Sequence, residues 1–138
     1  MTFVIIPGLM ATVLAPARLR RLCLSYPEAG ETSAFGHPNF VAGKKAFVTL
    51  ERVGGRPSIA FRQSPADVSL LVGRLGFFQT PYGRGVWVSC WADLPMRWSQ
   101  MATLVDRAYR LVALKRMIAA LDDPGRSSVP GSSVRVTT

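Results

Sequence analysis

The chain has 138 residues, 49% of them hydrophobic and 18% charged, and its 17 Lys and Arg against 8 Asp and Glu give a formal net charge of +9. That length suits one compact domain, and the apolar share excludes wholesale disorder. The surplus of cations favours polyanionic partners and disfavours cationic ligands, although an arginine-rich composition also arises as a general bias of the genome.

The first element is an N-terminal arm over residues 1–15. Its apolar run MTFVIIPGLMATVLAPA lacks a basic n-region, is interrupted by Pro7 and Gly8, and is shorter than the roughly 20 apolar residues a spanning helix needs. No membrane association is expected, and a cytoplasmic location follows. One domain is expected over 16–122. Pro16 reads as the start of a helix, with Leu19, Leu22, Cys23 and Tyr26 at helical spacing and Pro27 and Gly30 ending it.

Strand patterns run from Glu31 to Phe61. HPNFVAG reads as a short strand and turn, and KKAFVTLER alternates Ala46, Val48 and Leu50 against Phe47, Thr49 and Glu51. Val53-Gly54-Gly55-Arg56 predicts a tight hairpin, because both central residues tolerate positive φ, and the returning strand covers Ser58 to Arg62. Ser64 and Pro65 supply an N-cap and first residue for a helix over ADVSLLVGRL. Gly76 to Pro81 reads as a loop, Val86 to Trp91 as a strand, and Trp98 to Leu121 as one long helix with Asp106 and Arg110 as an i,i+4 pair. A flexible tail rich in Ser, Gly and Pro is expected over 123–138. This order implies a two-layer α+β fold, an antiparallel sheet covered by helices.

Little in the chain points to catalysis. His37 is the only histidine, so any Ser-His-Asp or Cys-His scheme would have to use it, and it stands in a Gly-His-Pro turn. Asp122-Asp123 precedes Pro124 at a helix end, where a solvated terminus explains it. Cys23 and Cys90 lack CxxC spacing and read as reduced, buried thiols. A metal site would need more His, Cys or clustered carboxylate. Neither enzyme activity nor a metal or cofactor is expected.

The stretch PYGRGVWVSCW, Pro81 to Trp91, admits three readings. A phosphate cradle would feed a helix N-terminus, and here the glycines feed a strand. A core strand is favoured by the alternation of Val86, Val88 and Cys90 with Trp87, Ser89 and Trp91. An exposed turn with Arg84 at its tip would contact phosphate, and this is compatible with a core strand behind it. The remaining candidate contacts are Lys44 and Lys45 at a strand start, Arg52 and Arg56 flanking the hairpin tip, and Arg110, Lys115 and Arg116 on the long helix.

The segments LCLSYPEA, FGHPNFVAGKKAFVTLE, GRPSIAFR, FFQTPYGRGVWV and AYRLVALKR occur in this order between Ala17 and Asp122. In sequence and spacing they resemble the MmcQ/YjbR family, described as double-wing DNA-binding proteins. The resemblance implies a fold of the secretion-chaperone type and contact with the DNA backbone through basic hairpin wings, here the Gly54-Gly55 and Arg84 tips. The family's last motif usually reads VAPKR, and Leu114 replaces that proline, so a straighter final helix is expected. These features together favour a binding protein without sequence specificity, with a protein-interaction module of chaperone type as the alternative.

Overall fold

The computed structural model describes residues 7–125. The first six residues of the expected arm and the tail beyond Gly125 lie outside them.

Helix α1 runs Pro7–Leu24, so it begins well before Pro16, which lies inside it. A proline inside a helix forgoes one backbone hydrogen bond, and the preference of proline for the first turn is only a preference. Six strands follow: β1 (Ala29–Ala34), β2 (His37–Ala42), β3 (Lys45–Val53), β4 (Arg56–Arg62), β5 (Phe77–Gln79) and β6 (Trp87–Trp91). Helix α2 (Pro65–Val72) stands between β4 and β5, and α3 (Trp98–Val112) and α4 (Lys115–Asp122) close the described chain. The strands form one antiparallel sheet in the order β1-β2-β3-β4-β6-β5. This is the expected α+β architecture. Strand β1 starts at Ala29, two residues before the expected strand region, and β5 lies within Gly76 to Pro81, read from the sequence as a loop because three residues are too few for a period to appear.

Local chemistry explains most of the elements. The Gly54-Gly55 turn, with φ of 60° and 80°, joins Val53 directly opposite Arg56. The Ser64 hydroxyl accepts from the Asp67 N–H at 3.2 Å and caps α2, whose first residue is Pro65. On β3 the strict alternation fails. Phe40 pairs with Val48 and Val41 with Ala46, which leaves Phe47 unpaired in a β-bulge. A bulge re-aims a side chain, and Phe47 joins Val48 in the core. There it meets Tyr109 of α3 edge-on, with centroids 5.5 Å apart.

Directly opposed residues of an antiparallel ladder share a face, so the register defines the two sides of the sheet. Phe40, Val48, Phe61 and Val88 lie on one face, with Leu50, Ile59 and Cys90 in the next row. This face is tiled by helices: α1 over β1 and β2, α3 over β3 and β4, α2 over β5 and β6. Met101, Leu104, Val105, Ala108, Tyr109 and Val112 form the buried stripe of α3. The Tyr109 hydroxyl donates to the Pro27 carbonyl at 2.6 Å, and fully buried Gln63 donates through Nε2 to the Leu104 carbonyl at 3.0 Å. These two bonds tie α3 to the end of α1 and to β4.

The expected single helix from Trp98 to Leu121 is two helices. Ala113 (φ −69°, ψ 149°) and Leu114 (φ −73°, ψ 158°) are extended and break it. The break therefore does not require a proline, and the expected straightening does not occur. Arg110 spans the corner, donating to Asp106 at 2.8 Å and to both carboxylate oxygens of Asp122 at 2.7 and 3.0 Å. Met117 fills the inner side of α4 and lies against Gly43, where an added Cβ would come within 2.9 Å of its methyl group. Tertiary packing of a two-sided pattern overrides a helical period that runs through the corner.

Candidate nucleic-acid interface

The PYGRG stretch does not project as a tip beside the Gly54-Gly55 hairpin. Arg56 begins β4, and Arg62 ends it opposite Trp87, which follows the Arg84 turn. The hairpin tip and the start of β6 thus lie at opposite ends of a seven-residue strand, roughly 20 Å apart at about 3.3 Å per residue. The helix-free face of the sheet, where Thr49, Ala60, Ser89 and Phe78 share a row, explains where the loop goes. Thr80 Oγ1 and Ser89 Oγ are 2.8 Å apart. The Tyr82 hydroxyl donates to the Glu51 carboxylate on β3, so residues 80–86 strap this face. Burial first, and that hydrogen bond second, push the Tyr82 phenol up to about 12.

Three consecutive residues of the strap have left-handed backbones: Gly83 (φ 87°), Arg84 (φ 52°) and Gly85 (φ 80°). A Cβ on Gly83 would meet the Trp87 ring at 2.3 Å. The glycines therefore serve the turn and its packing on Trp87, while the Arg84 side chain remains exposed.

The candidate cations sort by what they touch. Arg52 Nη1 donates to the Gly55 carbonyl at 2.7 Å and closes its own hairpin. Arg56 donates to both oxygens of Asp93 at 2.7 and 3.0 Å and lies 4.2 Å over the Trp91 ring, and it holds the Asp93 carboxyl below its ordinary value. Arg110 is engaged twice at the helix corner, and its guanidinium is raised above its ordinary value by Asp122 first and Asp106 second. Arg116 donates to both oxygens of Glu28 at 2.8 and 3.0 Å and lowers that carboxyl. Most of these partners lie far apart in sequence, so only the Asp106–Arg110 pair is legible from spacing.

Lys44, Lys45, Lys115 and Arg84 are exposed and make no ion pair among the described residues. Three of these residues lie on neighbouring elements. Lys44 follows Gly43 in the β2–β3 turn and Lys45 opens β3, the Gly43 N–H donates to the Glu28 carbonyl at 3.2 Å, and Met117 of α4 lies on the same glycine. Lys115 and Arg116 open α4 within one turn of Met117. All three lysines of the chain thus stand at one end of the molecule, beside the Arg116–Glu28 pair.

The chemistry available to other candidates is narrow. Burial raises the Cys23 thiol far above its ordinary value and pushes Cys90 up to about 12, which leaves both un-ionised at neutral pH. His37 pairs with Ala34 at the start of β2. Among the described residues no three His, Cys, Asp or Glu side chains gather as a metal set, and no helix is long and apolar enough to cross a membrane.

Fold and surface together define a small α+β protein with an antiparallel sheet, helices on one face, a strapped second face and a lysine-bearing end. The chain belongs to the YjbR family, whose model matches residues 24–111. The crystal structure of a protein from Pseudomonas syringae, a structural-genomics target, matches with a TM-score of 0.59 at 12% identity, covering 70% of this chain and 97% of the other. That likeness carries the fold alone. No curated protein matches the chain.

Proposed function

We propose that the protein is a cytoplasmic, non-enzymatic binder of the DNA backbone, without sequence specificity. Its leading contacts are Lys44, Lys45 and Lys115, with Arg84 as a separate contact on the strap. The observation that carries this reading is that three lysines, with no ion pair among the described residues, stand at one end of a chain of net charge +9. Cations without internal partners can meet phosphate at no cost in broken ion pairs, whereas Arg52, Arg56, Arg110 and Arg116 must first exchange the partners they hold. Exposed contacts of that kind are individually weak, so these four can exchange partners and serve as secondary contacts. The absence of specificity rests on the kind of contact, since phosphate carries no base information. The non-enzymatic reading rests on the lone histidine and the two buried, un-ionised thiols.

The test is a salt-titrated binding measurement on two duplexes of unrelated sequence. Removing one cation that neutralises a phosphate makes the slope of log K against log salt shallower by about 0.9, so K44Q/K45Q/K115Q should flatten it by about 2.7 on both duplexes. R52Q/R56Q/R84Q should flatten it less, by about 0.9 for Arg84 plus smaller shares for Arg52 and Arg56. A lysine variant that folds normally and keeps the parent slope would overturn the reading and leave the charge as compositional background.

A further inference from the structure

Two adjoining hollows lie at the far end of the sheet from the lysines, where β6 ends and α3 begins. The first has a volume of about 330 Å³ and is walled by Leu75, Phe77, Trp91, Leu94, Met96 and Met101, with Arg97 and Gln100 at its polar side. The second, about 290 Å³ between α2 and α3, is lined by Leu70, Arg74, Thr103, Arg107 and Asp67, and it shares Gln100 with the first. Leu75 and Leu70 are 99% and 69% exposed along this groove and extend its apolar lining to the surface.

Arg74, Arg97 and Arg107 are exposed and, like Arg18, Arg21, Arg52, Arg62 and Arg84, make no ion pair among the described residues, but these three line one groove. Three arginines and a single carboxylate, Asp67, are among the residues lining the two hollows. We infer that this groove binds an acidic peptide segment of a partner protein, seating one bulky apolar side chain in the first hollow and carboxylates against Arg74, Arg97 and Arg107. Guanidinium groups take carboxylates bidentately, which suits acidic residues flanking an apolar anchor. The walls favour a peptide over a nucleic acid. Leucine and methionine side chains offer no hydrogen bonds to a base edge, the Trp91 ring already carries Phe78 and Arg56 against it, Phe77 packs against the core, and methionine adapts to apolar side chains of varied shape.

The experiment uses the full chain and a fluorescein-labelled peptide with a central Leu-Phe pair flanked by glutamates, followed by anisotropy. Saturable binding is expected. R74Q/R97Q/R107Q, which alters only exposed side chains, should weaken it at least about tenfold by removing the charge-assisted hydrogen bonds. K44Q/K45Q/K115Q should leave it unchanged, because those residues stand at the other end. Circular dichroism checks that both variants are folded. Three results would each overturn the inference: no saturable binding, equal binding of a peptide with Ser-Ser in place of Leu-Phe, or a labelled oligothymidylate that binds the parent protein more tightly than the peptide does and is weakened as much in the arginine variant. The last would assign the groove to single-stranded nucleic acid.

Discussion

Substituting Gly83 by alanine separates two demands that the strap makes on its glycines. At Gly83 the backbone φ is 87°, and an added Cβ would stand 2.3 Å from one atom of the Trp87 ring, 3.0 Å from a second and 3.2 Å from the Trp87 Cβ. At Gly85 the φ is 80° and nothing lies within 4 Å of the added atom. Left-handed backbone costs an L-residue about 1–2 kcal/mol, which both variants incur. Only Gly83→Ala also forces Trp87 to move, and overpacking of this kind costs about 1–3 kcal/mol more. The expected losses are therefore about 2–5 kcal/mol for Gly83→Ala and about 1–2 kcal/mol for Gly85→Ala, against a total stability of about 5–15 kcal/mol for a domain. Urea unfolding followed by tryptophan fluorescence measures both. Equal losses in the two variants, or a loss below about 0.5 kcal/mol at Gly83, would refute the packing of the strap on Trp87.

The corner between α3 and α4 already has proline geometry: Leu114 is at φ −73°, and Ala113 before it is extended at ψ 149°. Leu114→Pro should therefore be neutral or stabilise by about 0.4–1 kcal/mol through the unfolded chain, and a loss above about 1 kcal/mol in thermal unfolding would contradict the break. Tyr82 supplies a pH test. Its folded value of about 12 lies above the ordinary 10.0, so the folded protein keeps a proton that the unfolded chain gives up between those values. The contribution is complete below pH 10 and is lost as pH rises towards 12, and Tyr82→Phe should remove a phenolate absorbance step near pH 12. A step near pH 10 that disappears in the variant would show that the phenol is not held against Glu51.

The sequence alone carried the fold class, the Val53–Arg56 hairpin and the Ser64-Pro65 start of α2, together with the Asp106–Arg110 pair. Each of the local features depends on residues within a few positions of one another, where turn and cap chemistry act. The family segments were equally legible, because their order and spacing survive in one dimension. What sequence misjudged was decided at longer range. A bulge opposite Phe40 and Val41 turned Phe47 into the core against the alternation of β3. Docking of Met117 against Gly43 accompanies the corner that divides the last helix, and the helical period of Trp98 to Leu121 does not register it. The candidate site changed most. Arg56 and Arg116 looked as available as Lys45, yet Asp93 and Glu28, 37 and 88 residues away in the chain, occupy them. Whether a cation is free depends on which carboxylate the fold delivers to it, and that is settled by strand order and helix docking, which spacing along the chain does not encode.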